Sequence, residues 1–138
     1  MSVLSLEIFL QNYEIYNEFG RVKKFGQVVY NDVSYPLVSI HYGNPKAPTL
    51  FINGGIHGLE RIGAQLTLSL LQSFHERLSW DSVLKNMLND LQVVFLPLAN
   101  PVGYFETTRS NGNGVDLMRN ANIAATEKVP FLLGGHKK

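Results

Sequence analysis

Cysteine is absent from the 138 residues. That excludes disulfides, zinc–thiolate sites and thiol nucleophiles, and leaves the redox compartment open. Charge of one sign is also lacking: the formal net charge is +1, too small to suggest electrostatic attachment to nucleic acid or to an anionic membrane. No apolar run approaches the roughly 20 residues that cross a bilayer. The opening segment MSVLSLEIFLQNYE has no basic stretch and carries Glu7 inside its short apolar run, which makes a poor secretory signal. Internal repeats, low-complexity tracts and linkers are missing as well. The expectation is a soluble, cytoplasmic protein with no nucleic-acid or membrane partner. At 45% hydrophobic and 17% charged residues the composition is that of an ordinary globular chain, and its length suits one domain with a real core but hardly two.

Apolar periodicity then supplies an outline. Residues 4–19 place Leu6, Phe9, Leu10, Tyr13 and Tyr16 at the spacing of a short amphipathic helix. Residues 21–30 and 35–42 are β-rich and separated by Asn-Asp-Val-Ser, which predicts a hairpin. The run TLFINGG ends in two glycines, as a buried strand does where it enters a loop. From about Leu59 to Leu78 the pattern is helical, with Ile62, Leu66, Leu70, Phe74 and Leu78 on one predicted buried face. A second helix is expected after Ser79 as N-cap, burying Trp80, Val83, Leu84, Met87 and Leu88. Residues 91–99 read as a buried strand, and Asn100 to about Asn120 as a long Gly/Asn-rich loop. Strand, helix, strand in this order argues for an α/β domain with a mostly parallel twisted sheet flanked by helices. Ligands of such sheets bind beyond the carboxyl ends of the strands, and the loops 53–61 and 100–120 both follow apolar strands.

Two clusters in those loops bear chemistry. In Gly54-Gly55-Ile56-His57-Gly58-Leu59-Glu60, a histidine and a glutamate three apart at a strand-to-helix junction can turn toward one point. Imidazole and carboxylate are zinc ligands of the kind a hydrolytic site uses. The same spacing also fits a loop histidine beside a glutamate favoured by the helix dipole. The second cluster is Asn100-Pro101-Val102-Gly103-Tyr104, then Thr108-Arg109-Ser110, then Asn113-Gly114-Val115-Asp116-Leu117-Met118-Arg119-Asn120. Arginine can grip a carboxylate through two parallel hydrogen bonds or stabilise an oxyanion, and aspartate can orient a metal-bound histidine. A solvated loop with turn residues and surface charges is the alternative.

Taken together, GGIHGLERIG, NPVGY and TRSNGNGVDLMRN resemble the zinc carboxypeptidase family, in which H-x-x-E after a strand is followed by N-P-D-G and by an arginine before G-V-D-L-N-R-N. The resemblance runs from about residue 37 to 120. A related aspartoacylase and succinylglutamate desuccinylase branch shares H-G-x-E and D-L-N-R, but N-P-x-G and G-V-D-L favour the peptidases. The resemblance implies His57 and Glu60 as the first two zinc ligands and Asp116 as the acceptor that fixes the tautomer of His57. It implies Arg109 as the residue that polarises the scissile carbonyl and stabilises the oxyanion, and Arg119 as the grip on the substrate's terminal carboxylate. Met118 stands where the family has a substrate-binding asparagine, so that contact is lost or replaced. Val102 replaces the aspartate of N-P-D-G, a structural change.

The resemblance also implies a third histidine ligand and a general-base glutamate well downstream of Arg119. Of the later residues His136 lies in the terminal Gly-Gly-His-Lys-Lys and Glu127 has nothing to place it at a metal, while His41 and His75 fall in the wrong places for ligands. The expectation is therefore a partial catalytic domain over residues 1–138 with its C-terminal portion absent. A sheet lacking later strands would expose an unpaired edge and an apolar face. Three functions compete: a zinc-dependent hydrolase of a peptide or amide bond next to a free carboxylate, inactive as this chain alone; an N-acyl amino-acid deacylase using the same metal on a smaller substrate; and a degenerate, non-enzymatic remnant.

Overall fold

A computed structural model describes residues 5–120. Helix α1 (Leu6–Asn12) is capped by the Ser5 hydroxyl, which accepts from the Ile8 amide, and passes into a 3-10 helix at Tyr13–Glu18. Strands β1 (Arg21–Tyr30) and β2 (Val33–Gly43) form an antiparallel hairpin. Its turn is the pair Asn31 and Asp32, both at positive φ, the residue types that tolerate the left-handed backbone a two-residue hairpin requires. Strand β3 (Thr49–Asn53) leads to α2 (Arg61–Arg77), then α3 (Ser82–Met87), strand β4 (Gln92–Leu96) and α4 (Pro101–Glu106).

The sheet order is β1-β2-β4-β3, with β4 antiparallel to β2 and parallel to β3. The sheet is therefore mixed rather than mostly parallel. The reason is connection length: a two-residue turn permits only antiparallel pairing of β1 with β2, and residues 44–48 are too few for a crossover from β2 to a parallel neighbour. Only the α2–α3 crossover is long enough, and it makes β3–β4 the parallel pair. Asn53 lies opposite Leu96, so the loops after β3 and β4 emerge side by side.

One face of the sheet, with Val38, Ile40, Tyr42, Val93 and Phe95, packs against Leu6 and Phe9 of α1, Tyr16, and Ala64, Leu68 and Leu71 of α2. The predicted α2 stripe is corrected here. Ile62 is 74% exposed, and Leu66 and Leu70 are also exposed, while Phe74 and Leu78 join the core. The helix turns its small residues inward because its first turns pass close to the Gly54 backbone, where Gly63 and Thr67 are the nearest neighbours. The second helix also differs. Its cap is Asp81, which accepts from the Leu84 amide, while the Ser79 hydroxyl donates to the Glu76 carbonyl at the end of α2. Leu84 and Leu88 pack on the core, but Trp80, Val83 and Met87 are exposed. Among the described residues β1 and β3 are the two edges of the sheet, and Leu50 and Phe51 of β3 are exposed. No helix among the described residues is long and apolar enough to cross a membrane.

His75 ties α2 to the 3-10 helix and to β2. Its Nδ1 is 2.9 Å from the buried Tyr42 hydroxyl, its ring meets the Tyr16 ring edge-on at 4.9 Å, and Glu18 lies 3.9 Å from Nε2. Burial pushes His75 below its ordinary value, against a smaller upward pull from Glu18 and Glu76. Burial, with Lys23 and Arg21, lowers His41 in the same way. Both imidazoles therefore take up a proton more readily in the unfolded chain. Their linkage leaves stability complete above the ordinary histidine value of 6.5 and removes it as pH falls below that value. Between about pH 7 and pH 5 the melting temperature is expected to fall, and His75→Gln, which keeps an acceptor for Tyr42, should flatten the decline. An equal slope in the variant would assign the acid sensitivity elsewhere.

Candidate metal centre

The loop after β3 begins with Gly54 and Gly55, the latter at φ 67°, and ends at Glu60, the residue before α2. The Glu60 side chain does not cap its own helix; it points toward His57 and Arg109. Glu60 Oε1 lies 3.2 Å from His57 Nδ1 and 3.0 Å from Arg109 Nη1. The other ring nitrogen, His57 Nε2, lies 3.3 Å from Asp116 Oδ1.

Asp116 is fully buried and organises the second loop. Its Oδ1 accepts from the amides of Met118 and Arg119 as well as from His57, and its Oδ2 accepts from Arg109 Nε at 2.7 Å. Arg119 Nε lies 3.3 Å from the same oxygen. Burial alone would raise its pKa, but the hydrogen bonds from Arg109, the Arg119 amide and His57 outweigh it and hold the carboxyl below the usual carboxylate range. An ionised carboxylate only accepts, so His57 Nε2 must be the donor. Nδ1 then presents a lone pair to the Glu60 carboxylate. Two acceptors 3.2 Å apart repel unless a proton or a metal cation lies between them.

The structure thus brings together His57 and Glu60 of one loop with Arg109, Asp116 and Arg119 of the other, His57 and Asp116 lying 59 residues apart in sequence. Met118 stands apart: it is 55% exposed, and it meets Asp116 through its backbone amide, which donates to Oδ1. Among the described residues, no group of three His, Cys, Asp or Glu side chains could hold a metal ion. His136 and Glu127 lie outside the described residues.

Sequence reading missed the framework of the site. Residues 101–106, read as loop, form α4, with Asn100 accepting from the Gly103 amide as N-cap and Pro101 in the first turn. Asn-Pro ahead of an apolar stretch was the available signal. Arg61, passed over entirely, donates to the Tyr104 carbonyl at 3.2 Å and to the Thr107 hydroxyl at 2.8 Å, fastening the start of α2 to the end of α4. The Leu59 amide adds a bond to the Thr108 carbonyl.

A family model described as zinc carboxypeptidase matches residues 8–131. Human carboxypeptidase D is 27% identical over 128 residues, covering 83% of this chain and 9% of that protein. The catalytic chain of human carboxypeptidase N is 31% identical over 127 residues, covering 78% of this chain and 28% of that one. A metallo-carboxypeptidase from Burkholderia cenocepacia superposes with a TM-score of 0.69 at 18% identity, over 85% of this chain and 32% of that chain. The chain spans a third or less of the length of each of these relatives. With the family model matched across most of its residues and the fold shared, the chain belongs to the zinc carboxypeptidase family of hydrolases.

Proposed function

We propose that the chain carries the first metal donors and the substrate-gripping arginines of a zinc-dependent hydrolase that cuts a peptide or amide bond next to a free carboxylate. The observation that supports this most is the convergence of His57 Nδ1 and Glu60 Oε1 at 3.2 Å, with Asp116 behind the ring. Zinc binds imidazole nitrogen and carboxylate oxygen at about 2.0–2.2 Å, so two tetrahedral ligands sit about 3.4 Å apart. The donor pair fits. When bound there, zinc supplies Lewis-acid polarisation. Two donors alone hold it weakly, since catalytic sites use three protein ligands.

The remaining roles belong to the chain's own groups. Asp116 keeps the proton on Nε2 and so leaves Nδ1 free to bind metal. With His57 neutral, Glu60 and Asp116 balance Arg109 and Arg119, so a divalent cation would leave the cluster positive. That surplus suits a substrate carboxylate and a developing oxyanion. In this reading the planar guanidinium of Arg119 grips the carboxylate, and that of Arg109, whose Nη1 lies beside Glu60, stabilises the oxyanion. Met118 offers only a thioether and cannot donate to the substrate.

Zinc affinity, read by competition with a chromophoric chelator, tests this. Asp116→Ala should weaken binding about 10- to 100-fold, the usual cost of losing a ligand's hydrogen-bond partner, and His57→Ala should weaken it further. Equal affinity in all three proteins would sink the reading.

A further inference from the structure

We infer that Asn100 is a positioning residue that sets the distance between the His57 and Arg109 loops. The residue is 2% exposed, and both N–H donors and the oxygen of its carboxamide are bonded. Nδ2 donates to the Ile56 carbonyl at 3.1 Å and to the Ser110 carbonyl at 3.1 Å, while Oδ1 accepts from the Gly103 amide at 2.9 Å. Its own backbone amide donates to the Gly55 carbonyl at 2.9 Å. Ile56 immediately precedes His57, and Ser110 immediately follows Arg109. One planar amide therefore spans the two loops whose side chains meet at Glu60 and Asp116.

A helix cap alone needs only the acceptor oxygen. The two donated bonds serve something else. They fix backbone carbonyls on either side of the cleft, at a separation set by a rigid group that cannot stretch. Space for the amide is reserved by Gly103: a Cβ there would lie 2.4 Å from Nδ2 and 2.6 Å from the Ser110 carbonyl. A small change in that separation would move Nε2 of His57 away from Asp116, where the bond is already 3.3 Å long. It would also move Arg109 away from Glu60. The consequence for metal binding rests on the zinc reading above; the consequence for His57 and Arg109 does not.

The test compares Asn100→Ser with Asn100→Ala. Serine keeps a capping oxygen and loses both amide donors; alanine loses the cap as well. Two readouts are taken on the full chain: long-range 1H–15N spectra of the histidine rings, and zinc affinity by chelator competition. In Asn100→Ser the His57 ring should lose its single Nε2-protonated signature while His75, in the last turn of α2 and bonded to Tyr42, keeps its own. Zinc affinity should fall about 10-fold, within the range for outer partners of a ligand, and Asn100→Ala should add a loss of melting temperature with little further change at His57. Wild-type His57 signals in Asn100→Ser would overturn the inference and leave Asn100 as a cap only. If no variant, wild type included, binds zinc, the functional reading fails while the ring spectra still decide the role of Asn100. Should Asn100→Ser not fold, Asn100→Asp, which also caps, carries the same comparison.

Discussion

With zinc in excess, the purified 138-residue protein is expected to release no C-terminal residue from peptides above the rate of its His57→Ala variant. The described residues bring two carboxylates to the cleft, and both are committed. Glu60 faces His57 Nδ1 and Arg109, and Asp116 is fully buried among the bonds that fix His57 and Arg109. Neither is placed to take a proton from water. A positioned general acid or base contributes about 10²- to 10⁴-fold, and weak retention of the metal by two donors lowers the rate further. The arginines would stabilise charge that no group among the described residues is placed to generate. The assay is peptide hydrolysis with and without chelator, on peptides with free and with amidated C-termini and on N-acyl amino acids. Sustained turnover that the chelator abolishes would show that groups outside residues 5–120, with His136 and Glu127 the candidates, complete the site. Preference for N-acyl amino acids would favour the deacylase alternative.

Gly58→Ala is expected to cost about 3 kcal/mol or more of folding stability, at or beyond the upper end of ordinary overpacking. A Cβ at position 58 would lie 1.8 Å from the Gly103 carbonyl carbon, 2.1 Å from its oxygen and 2.2 Å from the Tyr104 nitrogen. The obstacle is main chain, which has no rotamer to change. It cannot yield locally either, because Asn100, Arg61 and the Leu59–Thr108 bond hold the two segments together from three sides. The change should also separate His57 from Asp116 and so weaken metal binding in whatever fraction still folds. Urea denaturation at neutral pH measures the first effect. A variant within 1 kcal/mol of wild type, judged against that overpacking range, would show that α4 moves freely on the His57 loop.

The convergence of the polar groups was more legible in the sequence than the architecture around them, for a physical reason. His57, Glu60, Arg109, Asp116 and Arg119 are polar groups of scarce type at fixed spacing, and their meeting follows from two loops leaving one end of the sheet. The apolar pattern is less discriminating. Helix α2 carries two candidate stripes, and the stripe of larger residues, Ile62, Leu66 and Leu70, was predicted inward. Close backbone approach near Gly54, which no periodicity reports, selects the face of Ala64, Leu68 and Leu71 instead. Similarly, α4 was hidden because Gly103 and Asn100 read as loop residues. Both are required there by contacts to residues far away in sequence, Gly103 against Gly58 and Asn100 against Ile56.

The order of the strands also dictates when the site can exist during synthesis. The hairpin of β1 and β2 is local and can pair as soon as it leaves the ribosome. Strand β3 follows at once but has no partner in the sheet until β4 has been made, since β4 is the strand on its only occupied side. All of residues 54–91 must appear first, and β4 must then enter between two strands already translated. Such non-local pairing is slow compared with hairpin closure. His57 hangs from β3 and Asp116 lies beyond β4, so their bond can close only after that insertion. A nascent chain arrested before Gln92 would hold a complete hairpin and the His57–Glu60 pair but neither Asp116 nor the two arginines, which makes the His57–Asp116 contact a marker for the last step in building the sheet.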